Sequence, residues 1–121
     1  MRRPEKTRRG AERGGRRAEA LAAWWLRLKG WHILATRVRT PVGEVDLIAR
    51  RGRILAFVEV KARATQAEAE LALDDYRLRR VVAAAEALAH RYARPGDDIR
   101  VDALFVTPWK LPRHLTNITM N

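Results

Sequence analysis

A chain of 121 residues with 25 Lys+Arg against 14 Asp+Glu carries a formal net charge of +11, and 47% of its residues are apolar; this allows one domain with an ordinary core and points to an anionic partner. The lack of cysteine excludes disulfides, thiol nucleophiles and thiolate-held metals, and His32, His90 and His114 are too scattered to pair as ligands. No apolar run approaches the ~20 residues that span a bilayer, and the basic N-terminus lacks the apolar core of a signal peptide, so the expected location is cytoplasmic.

Residues 1–15 read as a basic, flexible N-terminal arm. The stretch as far as Arg17 holds eight basic residues against two acidic ones, with Gly10, Gly14 and Gly15 among them. Such an arm suits phosphate contacts without sequence preference, and a solvated tail has the same composition. One domain is expected over residues 16–108, with a C-terminal tail over 109–121. From Arg16 onward, Ala18, Leu21, Ala22, Trp25 and Leu28 recur at helical spacing, and Gly30 supplies a stop. Trp31 to Arg39 reads as a first strand, broken by Pro41-Val42-Gly43. Glu44 to Arg50 alternates, with Val45, Leu47 and Ala49 on one face and Glu44, Asp46 and Ile48 on the other. Arg51-Gly52 is expected as a two-residue turn, after which Arg53 to Lys61 returns as a strand.

Residues 62–72 read as a loop or a loose helical turn. Asp74 or Asp75 caps a second long helix with Leu78, Val81, Val82, Ala85, Leu88, Ala89 and Tyr92 as its apolar stripe, closed by Pro95-Gly96. Ile99 to Val106 is a fourth strand, and Pro108 and Pro112 oppose a further element straight afterwards. The order is α-β-β-β-α-β, an α/β fold with a mixed central sheet flanked by helices.

The hairpin carries the chemistry. With Arg51-Gly52 as the turn, Asp46 stands opposite Phe57 and Glu44 opposite Glu59, and the side chains of Glu44, Asp46, Glu59 and Lys61 share one face. Asp46 and Glu59 are then diagonal neighbours, roughly 7–8 Å apart at the backbone. Carboxylates gathered on an apolar-flanked face repel one another unless a cation sits among them, and hard divalent ions with oxygen ligands, Mg²⁺ or Mn²⁺, suit such a site. Lys61 on the same face could orient a water or steady developing negative charge. A solvated strand face also alternates charge, but Ile48, Leu55 and Phe57 share this one. Glu19, on the flank of the first helix, could lean in as a third carboxylate.

Arg16 and Arg17 at the head of the first helix, Arg77 and Arg80 one turn apart on the second, and Trp109 between Pro108 and Lys110 are the candidates for nucleic-acid contact. Solvated basic faces are the alternative. Trp25 reads as core, His90 and His114 as surface residues, and Asp102 as a partner of Arg100.

Gly43-Glu44-Val45-Asp46-Leu47-Ile48-Ala49 followed by Phe57-Val58-Glu59-Val60-Lys61 resembles the signature of the YraN-like family of uncharacterised bacterial proteins (uncharacterised protein family 0102). Gly15-Arg16-Arg17-Ala18-Glu19 resembles that family's opening helix motif, and Arg100-Val101-Asp102 its Arg-Phe-Asp strand; the likeness runs from about Gly15 to Val106. The family is similar to the PD-(D/E)xK nucleases and Holliday-junction resolvases, which have a restriction-endonuclease-like core. The resemblance implies Asp46, Glu59 and Lys61 as the motif's acid, acid and lysine, with Glu19 as the helix carboxylate. Val45 stands where that motif has proline. Arg77 stands where related sequences tend to have lysine, and it lacks a titratable ammonium. The expected activity is Mg²⁺- or Mn²⁺-dependent hydrolysis of phosphodiester bonds in DNA, more than RNA, of branched or structured form. A non-catalytic nucleic-acid-binding module of the same fold is the rival. Junction resolvases with this core act as symmetric dimers, which leaves a homodimer open.

Overall fold

Alternation, helical stripes and glycine breaks sort the chain into α1 (Glu5–Leu28), β1 (His32–Thr40), β2 (Gly43–Arg51), β3 (Ile54–Ala62), α2 (Gln66–Ala72), α3 (Asp75–Tyr92), β4 (Asp98–Val106) and β5 (Arg113–Leu115) in a computed structural model that describes residues 5–118. One five-stranded sheet runs in the order β1-β2-β3-β4-β5. β1, β2 and β3 form an antiparallel meander, β3 pairs parallel with β4 through the helical crossover, and β5 returns antiparallel. This mixed sheet flanked by helices is the α/β architecture expected of a restriction-endonuclease-like core. Among the described residues, no helix is long and apolar enough to cross a membrane.

The layers follow from which side chains each helix buries. Ala18, Ala22 and Leu26 of α1 pack on Leu47, Ala49, Val58 and Leu104. Val81, Ala84, Ala85 and Leu88 of α3 cover Val45, Ile48, Leu55, Phe57 and Val101 on the other face. α3 comes close to β2 because Gly43 has no side chain: a Cβ there would lie 2.1 Å from the Arg80 carbonyl oxygen. β3, covered on both faces and paired on both edges, is buried from Leu55 to Lys61.

Five expectations are corrected. α1 begins at Glu5, not Arg16, so residues 5–15 of the expected arm have helical backbone, and residues 1–4 lie outside the described residues. Arg, Ala, Glu and Lys are strong helix formers and outweigh three glycines over this length. The buried stripe of α1 runs through Ala18, Ala22 and Leu26, leaving Leu21 and Leu28 exposed, because small alanines let the helix approach the sheet. The hairpin turn is Gly52-Arg53, with Gly52 at φ +60°, and Arg51 pairs with Ile54. That two-residue shift in register preserves parity, so the side chains paired from Leu47 to Val58 keep their expected faces. Val45 is the local exception: it joins Ile48 in the α3 layer and not Leu47. The expected C-terminal tail contributes β5, and the Ile118 amide donates to the Val101 carbonyl at 2.8 Å.

Candidate active site

Glu59 and Lys61 are two charged side chains in a strand otherwise made of Ile, Leu, Ala, Phe and Val. The central position of β3 buries both, at 6% and 8% exposure. Burial of a charge is costly without compensation, so the partners decide what such residues do. The β2–β3 ladder is paired as far as Leu47 opposite Val58. Beyond it the Val60 amide donates to Asp46 Oδ2 at 2.7 Å, a side chain taking the place of a ladder acceptor. The revised register brings Asp46 towards Glu59 more directly than the diagonal placement expected from the Arg51-Gly52 turn.

Asp46 is within hydrogen-bonding reach of both Glu59 and Glu19. Burial pushes the Glu59 carboxyl well above its ordinary range, and the hydrogen bond and charge of Asp46 push it further; the cations Lys61 and Arg77 offset only part of this. Burial also raises Glu19, opposed by its bond to Arg37 and assisted by the charge of Asp46. Arg37, at φ +51° in the left-handed region, places its Nε 2.5 Å from Glu19 Oε1. Arg77 reaches the cluster from the first turn of α3, where its amide donates to the Asp74 cap at 2.8 Å. A cavity of about 440 Å³ opens between α1, the ends of β2 and β3, and α3, lined among others by Glu19, Asp46, Glu59, Lys61, Arg63 and Arg77.

The structure thus brings Glu19, Asp46, Glu59, Lys61 and Arg77 to one cavity. Arg16 lies beside it, lining a smaller pocket of about 240 Å³ with Arg37 and Arg39. Arg17 and Trp109 line a separate groove next to the cavity. Arg80 turns away, its guanidinium 5.9 Å from the centre of the Tyr76 ring. Sequence reading missed Arg37 and Arg63. Nothing local announces a left-handed arginine inside a strand, whereas Arg63, two residues beyond Lys61, was visible as a flanking charge.

Among the described residues, no group of three or more His, Cys, Asp or Glu side chains is arranged to hold a metal ion. Glu19 accepts from Arg37 instead, and Asp46 accepts from the Val60 amide. The donor chemistry itself suits a hard divalent cation. Asp46 and Glu59 offer carboxylate oxygens to the same cavity, and burial together with Asp46 raises the Glu59 carboxyl, which a cation there would offset.

The sequence matches the model of Uncharacterised protein family UPF0102 over residues 18–106. It is 62% identical over 112 residues to a UPF0102 protein of Sphingopyxis alaskensis, covering 93% of this chain and 97% of that one. A UPF0102 protein of Rhizorhabdus wittichii is 60% identical over 111 residues, covering 92% and 94%, and one of Erythrobacter litoralis is 59% identical over 107 residues, covering 88% and 92%.

Proposed function

We propose that this chain, which belongs to the UPF0102 family, is a divalent-metal-dependent endonuclease that hydrolyses phosphodiester bonds in branched or otherwise structured DNA. The observation that carries the reading is the convergence of Glu19, Asp46, Glu59 and Lys61 on one cavity, with the two charges of β3 buried in a strand that could have been apolar throughout. Asp46 and Glu59 would hold Mg²⁺ or Mn²⁺, joined by Glu19 once it leaves Arg37. Such an ion, when bound, supplies Lewis-acid polarisation of the phosphate and a more acidic water. Lys61 lines the same cavity, where its ammonium would orient the attacking water or balance charge developing on the phosphate. Arg77 and Arg63 line the cavity as phosphate contacts, and a net charge of +11 draws a polyanion to it.

The rival, a binding module without turnover, is favoured by the Glu19–Arg37 pair, which engages one oxygen of the third carboxylate. Lys61→Ala separates the two readings. It leaves all three carboxylates in place, so Mn²⁺ and DNA binding persist, while the loss of one transition-state contact costs about 10²–10³ in rate. Linear, nicked, flapped and four-way DNA, with structured RNA, should be incubated with Mg²⁺ or Mn²⁺. Cleavage by the wild type that disappears in Lys61→Ala supports the nuclease; cleavage that survives the substitution places the activity elsewhere and overturns the mechanism.

A further inference from the structure

Beside the carboxylate cavity lies a second, larger concavity of about 730 Å³ that the proposed hydrolysis does not use. Its floor is apolar, made by Leu21 and Ala18 of α1, Val106 at the end of β4, and Leu111. Trp109 stands at its edge, fully exposed. Its backbone is at φ +64°, a left-handed conformation that bulky residues seldom adopt. The turn after β4 therefore holds a large aromatic face out in water beside an apolar trough. The turn at Pro108-Trp109 accounts for the backbone, and burial does not account for the tryptophan side chain.

The charges around the trough are of one sign. Arg17, Arg63 and Lys110 line it, and among the described residues no aspartate or glutamate does. An apolar peptide or lipid tail would use the floor but leave three cations without a counterpart. Duplex DNA would use the cations but has no free apolar surface to place on the floor. An unpaired nucleotide uses both, with a flat base for the tryptophan face and trough and phosphates for the rim. The trough also shares Ala18, Ala62 and Arg63 with the carboxylate cavity, so one strand could pass from one to the other.

We propose that this groove binds an unpaired nucleotide of the strand under attack, with its base stacked on Trp109 and its flanking phosphates on Arg17, Arg63 and Lys110. The substrate class is then nucleic acid with a single-stranded segment adjoining the scissile phosphate, as in a flap or an opened junction, and not continuous duplex. This rests on the nucleic-acid reading of the neighbouring cavity.

The test measures binding in EDTA, so that no cleavage is needed. The full chain is titrated against a labelled single-stranded oligonucleotide, a flap and a continuous duplex of equal length, as wild type, Trp109→Ala and Trp109→Phe. Trp109→Ala should weaken single-strand and flap binding roughly 5- to 150-fold, the equivalent of ~1–3 kcal/mol for one stacked base, and leave duplex affinity within about twofold. Trp109→Phe should recover most of the loss, because a smaller ring still stacks. Equal losses on all three nucleic acids, or no loss on any, would overturn the proposal. The outcome is separable from that of the nuclease reading. A Trp109-dependent single-strand preference without cleavage in Mg²⁺ or Mn²⁺ sustains the groove and sinks the nuclease. Lys61-dependent cleavage with flap binding indifferent to Trp109→Ala does the reverse.

Discussion

Two sets of buried charge share the sheet and are treated in opposite ways. Asp102, fully buried on β4, lies 2.8 Å from His114 Nε2 and accepts from Arg100 Nη2 at 2.9 Å and from the Asn117 amide at 2.8 Å. Burial alone would raise its carboxyl, yet these three partners hold it below the usual range. Glu59, buried on the adjacent strand β3, is raised by that burial and raised further by the Asp46 carboxyl beside it. The residue types are alike and the burial is alike; only the partners differ. A charge fully answered by donors fixes geometry, here tying β5 and residues 116–118 to β4. A charge left with another of its own sign costs stability, and folds keep such a cost where a ligand or a reaction uses it.

The largest expected effect is at the answered charge. Asp102→Ala leaves the Arg100 guanidinium, the His114 ring and the Asn117 amide without their acceptor. Breaking a buried ion pair by removing one partner costs about 3–5 kcal/mol, so the urea midpoint should fall sharply. A loss under ~1 kcal/mol would mean that this cluster does not hold the fold, and the contrast between the two sets of charge would collapse.

At the carboxylate cavity the sign should reverse. Glu59 has a higher pKa folded than unfolded, so folding takes up a proton once the pH exceeds its ordinary value of 4.5. The contribution of Glu59 to stability is then greatest below that pH and is lost as pH rises towards the folded value. Glu59→Gln keeps the shape and removes the charge. In EDTA it should be more stable than wild type by about 1–3 kcal/mol at pH 8, with a flatter pH profile. Denaturant curves from pH 5 to 9 measure this, and parallel profiles for the two proteins would remove the frustrated charge from the argument.

The sequence made the faces of the hairpin legible because they depend only on parity. Asp46, Glu59 and Lys61 keep one side whether the turn is Arg51-Gly52 or Gly52-Arg53. Register was not legible, because either pair places a glycine where a positive φ is needed and a shift of two leaves the faces unchanged. The buried face of α1 was misjudged for a similar reason. Leu21 and Leu28 outweigh alanines in any hydrophobic count, but Ala18, Ala22 and Ala23 are what allow close contact with the sheet. His114, read as a surface residue, is instead partly buried against Asp102 and edge-on to Trp31 at 6.0 Å. No spacing rule joins residues 102 and 114; only the β4–β5 pairing does. The helix cap at Asp74, by contrast, is a local interaction and was readable as one of two adjacent aspartates.

The smallest expected effect is an acid limb whose slope opposes that of Glu59. Arg50, buried at the end of β2, binds Asp97 through two parallel contacts of 2.9 and 2.7 Å, and the Arg94 amide adds a third at 2.6 Å. The Arg50 bond, followed by that amide, lowers the Asp97 carboxyl from 3.8 to about 2. A carboxyl more acidic folded than unfolded stabilises above its unfolded pKa and loses that contribution as pH falls through the folded one. Wild type should therefore lose stability between pH 3.8 and about 2 in part through this pair. Asp97→Asn, which has no proton to take up there, should start lower at pH 5 and approach the wild type as the solution is acidified. Thermal unfolding across that range reads the gap directly. A gap that stays constant down to pH 2 would show that the Arg50–Asp97 pair does not titrate with folding, and would leave Asp102 as the only answered charge on which the comparison stands.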